Sequence, residues 1–332
     1  MKRVNFAIVG ATGLVGSTFI KVLEERDLPI ENIYFFASSR SVGKEVKFKN
    51  KIYLIEELTE HSFDRDIDIA LFSAGGDISK KFAPIAKSKG VIVVDNSSAF
   101  RMDPDVPLIV PEINPEDIYL QQGIIANPNC STIQSVVPLG ELHKKYNIKR
   151  IIYSTYQAVS GSGMKGLNDL EKGILGEKPS NYPHPIAFNC LPHIDVFLDN
   201  GYTKEEVKMI EETKKILHDQ HLRITATTVR VPVRHGHSVS INVEFDTPFN
   251  LEDIKDILNH QNGIVVVDDV SNNQYPMPLM VEGRDEVFVG RIRRDYSCEN
   301  GLNLWVVADN IRKGAATNAI QIAELLIRRE LI

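Results

Sequence analysis

The sequence predicts a doubly wound α/β domain with a parallel sheet, followed by an α+β domain with a mixed or antiparallel sheet. Three observations carry this reading: near-continuous apolar strands alternating with helical patterns in the first hundred residues, a proline-rich stretch over residues 101–128, and strict apolar/polar alternation beyond it. Length agrees, because 332 residues exceed what a single core usually holds.

Val4–Val9 and residues 33–37, 67–72 and 91–94 read as strands. Their lack of polar alternation is that of a parallel sheet covered on both faces. Leu14, Val15, Phe19, Val22 and Leu23 recur at helical spacing, so residues 13–26 form the crossover of a βαβ unit. Pro104, Pro107, Pro111, Pro115 and Pro128 then prevent long regular elements, which places a domain boundary near residue 129. Past it, Val239, Ile241, Val243 and Phe245 alternate with Ser240, Asn242 and Glu244, the pattern of a sheet with one wet face. Residues 151–157, 224–231, 286–292 and 303–308 are further strand candidates, with helices over 203–217 and 251–260. Ala316, Ile320, Ala323 and Ile327 form one helical stripe that must be buried, and the expectation is that it returns to the first domain. The expected division is therefore 1–129 completed by 312–332, and 130–311.

Bulk properties narrow the function. Hydrophobic content of 43% and charged content of 25% are those of an ordinary globular protein. A formal net charge of −6 without a basic tract argues against nucleic acid and for small-molecule partners. Cys130, Cys190 and Cys298 are odd in number and far apart, which does not suit a disulfide framework and points to a reducing compartment. The apolar run over 6–9 is too short for a signal segment or a membrane span, so a cytoplasmic protein without membrane attachment is expected.

Gly10-Ala11-Thr12-Gly13-Leu14-Val15-Gly16 falls where the first strand passes into the first helix. Glycine suits that place because a side chain would block a pyrophosphate from the backbone N–H groups at the positive end of the helix. The spacing departs from the commoner G-x-G-x-x-G, and a tight turn without ligand is the alternative. This makes the first domain Rossmann-type. An acid after the second strand would take the ribose 2′-hydroxyl of NAD. None is there; Ala37-Ser38-Ser39-Arg40-Ser41 offers hydroxyls and a guanidinium suited to a 2′-phosphate, so NADP is the expected cofactor. An exposed polar turn is the competing account.

Asn127-Pro128-Asn129-Cys130-Ser131-Thr132-Ile133 is the most informative stretch. Pro128 breaks what precedes it, and Val136, Val137, Leu139, Gly140 and Leu142 follow as a mostly apolar helix interrupted early by Pro138. Cys130 thus lies at or near a helix start, where free N–H groups favour the thiolate. Residue chemistry alone leaves open a buried, inert cysteine. It also leaves Glu212 and Lys215 as a solvated i,i+3 pair on a helix opened by a Thr203/Glu206 capping box, His237 as structural, Arg101 and Arg230 as surface charges, and Gln157 as the polar side of a strand. His235-Gly236-His237 has no third ligand spaced nearby, so no metal is expected.

Pro128-Asn129-Cys130-Ser131-Thr132 resembles the active-site signature of the aspartate-semialdehyde dehydrogenases, as do the glycine-rich turn and Asn96-Ser97-Ser98-Ala99-Phe100-Arg101-Met102. Tyr156-Gln157-Ala158-Val159-Ser160-Gly161, Glu212-Thr213-Lys214-Lys215, Arg230-Val231-Pro232, Gly236-His237-Ser238 and Asn310-Ile311-Arg312-Lys313-Gly314-Ala315-Ala316 are similar to further family motifs, in order and end to end. The resemblance implies Cys130 as nucleophile, His237 as acid/base, Gln157 as the residue orienting the acyl group and Asn129 as support for the cysteine. It implies Arg230 for the substrate carboxylate, Glu212 for its amino group, and Lys215 and Arg101 for phosphate. The dinucleotide would be met by Gly10, Thr12, Gly13, Leu14, Val15, Ser38, Ser39, Arg40, Ser41, Gly75, Ser160, Gly161 and Asn310. The implied reaction is conversion of 4-phospho-L-aspartate and NADPH to L-aspartate 4-semialdehyde in lysine, threonine and methionine biosynthesis, by a homodimer or homotetramer joined through the second domain. Alternatives are a reductase of another acyl group, such as N-acetylglutamyl phosphate or malonyl-CoA, and a cofactor sensor without turnover.

Overall fold

The computed structural model describes residues 3–332. The chain divides into two compact units, one running to Pro128 and taking in Ala315–Ile332, the other Asn129–Gly314. Asn129 and the residues just before Ala315 thus fall in the second unit.

In the first unit the strands are β1 (Val4–Val9), β2 (Ile30–Ala37), a β3/β4 hairpin (Glu45–Phe48, Lys51–Leu54), β5 (Glu56–Glu57), β6 (Ile69–Phe72), β7 (Ile92–Asp95) and β8 (Ile124–Ala126), with α1 (Leu14–Glu25) and α2 (Gly76–Ser88) as crossovers. The main sheet has the order β5-β2-β1-β6-β7-β8 and every pair in it is parallel. The chain winds outward from β1 in one direction, then restarts at β6 on the other side. Such a reversal opens a crevice at the carboxyl ends of β1 and β6, the usual ligand site of a doubly wound sheet. The C-terminal helix Thr317–Arg328 contributes Ala319, Ile320, Ile322, Ala323 and Leu326 to the same core as β1, β2, β6 and α1. Its alanines let the helix axis approach the sheet closely.

Several elements were not singled out by the sequence pattern. The β3/β4 hairpin carries charges on its faces, and its turn is made by Lys49 and Asn50, both left-handed, not by an Asn-Gly pair. Helix α2 tolerates Pro84 in its interior, with Phe82, Ala83 and Ala86 buried around it. The proline-rich stretch still yields β8, only three residues long.

The second unit contains α3 (Cys130–Val136), α4 (Gly140–Tyr146), β9 (Ile148–Gln157), α5 (Gly163–Ile174), α6 (Lys204–Ile216), β10 (Arg223–Arg230), β11 (His237–Phe245), α7 (Leu251–His260), β12 (Ile264–Val266), α8 (Pro278–Val281), β13 (Val287–Asp295) and β14 (Gly301–Ala308). Its sheet, β10-β9-β11-β14-β13-β12, is mixed: β10/β9 and β12/β13 are parallel, the rest antiparallel. Val239, Ile241 and Val243 are buried on one face while Ser240, Asn242 and Glu244 stay partly exposed on the other. Pro138 splits the expected single apolar helix into α3 and α4. Among the described residues no helix is long and apolar enough to cross a membrane.

Gly16, on α1, sits so close to the turn that a Cβ would collide with the Gly10 carbonyl oxygen. Gly16→Ala is therefore expected to destabilise by about 1–3 kcal/mol, the usual cost of overpacking. The urea midpoint reads this, and an unchanged midpoint would show that the turn yields without strain.

Candidate active site

At the carboxyl end of β1, Gly10 has φ 89° and its Cβ would strike Ser73, so only glycine fits there. Thr12 and Gly13 are exposed at the start of α1, and Leu14 and Val15 are half-buried in its first turn. Helix α1 is capped by Gly13 and α2 by Gly75, neither with a side-chain hydrogen bond to the helix start. Gly75, φ 90°, has nothing within 4 Å of the place a Cβ would occupy. Two helix N-termini thus stand beside adjacent parallel strands with uncapped N–H groups and a glycine opening, an arrangement that fits a dinucleotide's pyrophosphate. At the end of β2, Ser38, Ser39 and Arg40 are exposed, with a single helical turn over Ser39–Ser41; Ser41 is buried and its N–H bonds the Ser38 carbonyl. Arg101, also in this unit, is buried, and its guanidinium donates to the carbonyls of Asn127 and Asn96, each at 2.9 Å.

In the second unit Cys130 is the first residue of α3. Asn129 caps that helix: its Oδ1 accepts from the Ser131 and Thr132 N–H groups at 2.9 and 3.2 Å. The backbone N–H of Asn129 donates to Glu212 Oε2 at 2.6 Å and its Nδ2 to Glu205 Oε1 at 2.9 Å. Glu212, only 1% exposed, is thus buried and not solvated; α6 turns that face inward, with Lys215 half-buried one turn further along. Gln134, one turn beyond Cys130 on α3, donates to the His237 carbonyl at 3.0 Å and so ties the cysteine's helix to the start of β11. Gly314 lies against Cys130, where a Cβ would come within 2.9 Å of the cysteine's own. None of the three cysteines forms a disulfide.

Strand register assembles the rest. Arg230, ending β10, pairs with Gln157, ending β9, and Ser238 at the start of β11 pairs with Tyr156. Three segments far apart in sequence therefore meet at one sheet end. Ala158 is held through both of its backbone groups: its N–H donates to His237 Nδ1 at 3.0 Å and its carbonyl accepts from Arg230 Nη1 at 2.7 Å. Because Nδ1 accepts a hydrogen bond from a backbone amide, the neutral ring carries its proton on Nε2. Burial first, and then the Arg230 charge, hold the imidazole well below its ordinary pKa. His237 Nε2 and Arg230 Nε are both buried without a hydrogen-bond partner among the described residues, two donors available to a bound anion. Gly161 leaves the space beside them, since its Cβ would lie 2.8 Å from Arg230 Nη1 and 3.3 Å from His237 Nε2. Gln157 is fixed at both amide atoms, accepting from Thr155 Oγ1 at 3.0 Å and donating to Glu205 Oε1 at 3.1 Å.

The structure brings Cys130's helix, Asn129, Gln157, Glu212, Arg230 and His237 into one network within the second unit. Ser160 and Asn310 bond each other there, and Asn310 Oδ1 also accepts from the Gly236 N–H, so both brace the segment leading into His237. Glu205 and Gln134 were not anticipated. Glu205 directly precedes the capping glutamate, and Gln134 is simply one more polar residue in a helix, so neither stands out by pattern.

Residues 5–121 match the model of the semialdehyde dehydrogenase NAD binding domain, and 139–313 that of the semialdehyde dehydrogenase dimerisation domain. An aspartate-semialdehyde dehydrogenase of Aquifex aeolicus is 56% identical over 98% of both chains. The crystal structure of aspartate semialdehyde dehydrogenase II from Vibrio cholerae complexed with ASA has a TM-score of 0.95 at 46% identity and covers 99% of each chain. An aspartate semialdehyde dehydrogenase with NADP from Candida albicans has a TM-score of 0.80 at 26% identity, covering 100% of each. A parallel nucleotide-binding sheet joined to a mixed-sheet domain with a helix-capped cysteine defines an oxidoreductase of the semialdehyde dehydrogenase class. Within that class, the chain belongs to the aspartate-semialdehyde dehydrogenase family, whose step lies in lysine, threonine and methionine biosynthesis.

Proposed function

We propose that the chain reduces 4-phospho-L-aspartate to L-aspartate 4-semialdehyde with NADPH, through a thioester on Cys130. The observation that carries the reading is the network joining the Asn129-capped Cys130 to Gln157, Arg230 and His237. The Cys130 thiolate attacks the acyl carbon, the carbon–oxygen bond to phosphate breaks, and phosphate leaves with the electron pair. NADPH, when bound, supplies hydride to the thioester carbon. The oxyanion of each tetrahedral intermediate accepts the His237 Nε2–H, and its collapse in the second half expels the Cys130 sulfur. Gln157 orients the acyl group, Arg230 takes the α-carboxylate, Glu212 the amino group, and Lys215 and Arg101 the phosphate. Gly10, Thr12, Gly13, Leu14, Val15 and Gly75 hold the pyrophosphate. Ser160, Gly161 and Asn310 complete the dinucleotide site in this reading. NADP is favoured because Ser38, Ser39 and Arg40 are exposed at the end of β2 and the chain that directly follows the strand, residues 38–41, carries no acid. The working form is a cytoplasmic homodimer or homotetramer.

The test is an absorbance assay of phosphate-dependent NADP⁺ reduction with L-aspartate 4-semialdehyde. Activity that needs phosphate and prefers NADP⁺ over NAD⁺ is expected. Arg40→Ala should raise the NADPH dissociation constant roughly ten- to a hundredfold and leave that for NADH nearly unchanged, the loss of one charge-assisted contact. Equal wild-type efficiency with both nucleotides, or turnover indifferent to phosphate, sinks the reading.

A further inference from the structure

We propose that Glu205 is a positioning residue for the reaction, a single buried carboxylate that orients both the cap of the Cys130 helix and the amide of Gln157. The proposal rests on the roles given above to Cys130 and Gln157.

Two adjacent glutamates open α6 and do different work. Glu206 completes the capping box, with Oε2 accepting from the Thr203 N–H at 2.7 Å and Oε1 from the Thr228 N–H at 3.1 Å. One residue back is about 100° around the helix, so Glu205 faces Asn129 and Gln157 instead. It is 5% exposed. Its Oε1 accepts from Asn129 Nδ2 at 2.9 Å and from Gln157 Nε2 at 3.1 Å, while Oε2 accepts from Lys208 Nζ at 3.1 Å. Lys208 is in turn held by Asp195 at 2.7 Å.

An ionised carboxylate only accepts hydrogen bonds. Asn129 and Gln157 must therefore both present their NH₂ groups to it, and this decides where their oxygens go. The Asn129 oxygen is left to cap Ser131 and Thr132, and the Gln157 oxygen meets the Thr155 hydroxyl. An amide in place of the carboxylate could turn a donor toward either partner. A flipped Asn129 would then point NH₂ at the N–H groups it now caps, opening the first turn at Cys130. Burial pushes the Glu205 carboxyl up, but the Lys208 charge and the hydrogen bonds from Asn129 and Gln157 leave it below the usual value, so it stays an acceptor. A second carboxylate of the same helix, Glu212, holds the Asn129 backbone N–H. Glu205 is seven residues from it, on the same face.

The competing explanation is that Glu205 only stabilises the fold as the centre of the Asp195–Lys208 ion pairs. The full-length enzyme with Glu205→Gln and Asp195→Asn separates the two. Glu205→Gln is expected to lower kcat about ten- to a hundredfold, with KM for semialdehyde and phosphate changed less than about threefold. It is also expected to move the pH profile of Cys130 alkylation by iodoacetamide to higher pH, as the helix start loses its cap. Asp195→Asn breaks the outer ion pair but leaves Lys208 on Glu205, so the carboxylate stays ionised and keeps its role as acceptor. It is expected to lower the melting temperature while leaving kcat within about threefold and the alkylation profile in place. If Glu205→Gln does not fold, Glu205→Asp, which retracts the carboxylate by one methylene, is read the same way. Equal kcat losses in Glu205→Gln and Asp195→Asn, or an unmoved alkylation profile in Glu205→Gln, overturn the proposal. Wild-type inactivation by alkylation at Cys130 tests the underlying reading separately, since it depends on neither variant.

Discussion

Cys130→Ser is expected to lower kcat on the order of a thousandfold or more while NADPH binding, followed by fluorescence titration, stays at its wild-type value. The replacement keeps the first position of α3 and the Asn129 cap around it. What changes is the nucleophile: a thiol of ordinary pKa about 8.5 becomes a hydroxyl that scarcely ionises at neutral pH. The loss falls on the chemical steps because both the attack on the acyl phosphate and the departure from the tetrahedral intermediate need sulfur. The covalent step can be seen directly. Enzyme mixed with aspartyl phosphate in the absence of NADPH and quenched should gain an acyl mass that peptide mapping places on Cys130. Cys190, exposed, and Cys298, beside Asp295, should carry none. An adduct on either, or near wild-type turnover in Cys130→Ser, rules out the thioester route.

His237→Ala is expected to cost about 10²–10³ in kcat, the usual loss of one oxyanion donor. His237→Gln, whose amide can still donate, should recover part of it. The ring's geometry restricts its role. Nδ1 is taken by the Ala158 N–H, so the neutral ring carries an N–H, not a lone pair, at the buried Nε2, which has no hydrogen-bond partner among the described residues. In the proposed mechanism it therefore serves as a donor, and alkylation of Cys130 is expected to proceed at the wild-type rate in both variants. Slowed alkylation would return the base role to His237.

The same residue sets a pH dependence. Burial and then Arg230 depress its pKa in the folded state below the unfolded value of about 6.5. The unfolded chain therefore binds the extra proton first. The stability contributed by the neutral ring is complete above about pH 6.5 and is lost progressively as the pH falls below it. His237→Gln should flatten that part of the acid-side decline in melting temperature. A ring titrating near 6.5 by NMR in the folded enzyme would contradict this.

Local pattern was enough for much of the fold. Val4–Val9 and the 251–260 helix are bounded by residues whose preferences act over a few positions, as are the Thr203/Glu206 box and the helix start at Cys130. The β3/β4 hairpin and α2 escaped that reasoning. One turns through Lys49 and Asn50, and the other keeps a proline in its interior because burial around it outweighs the lost hydrogen bond. The candidate site was legible as residue types in order along the chain, without their partners.

By itself the sequence determined two domains, a phosphate-binding turn after β1, a cysteine at a helix start and the family to which these belong. Those features are written in neighbours a few residues apart, where spacing and residue type act directly. Only the tertiary structure decided that Gln157, Arg230 and His237 share one sheet end, because strand register sets that and register depends on long-range pairing. It alone decided that Glu212 is buried against Asn129 and that Glu205, unremarkable beside its capping neighbour, bonds two site residues at once. It also decided the tautomer of His237, since the direction of a backbone N–H from Ala158 determines which ring nitrogen can hold the proton.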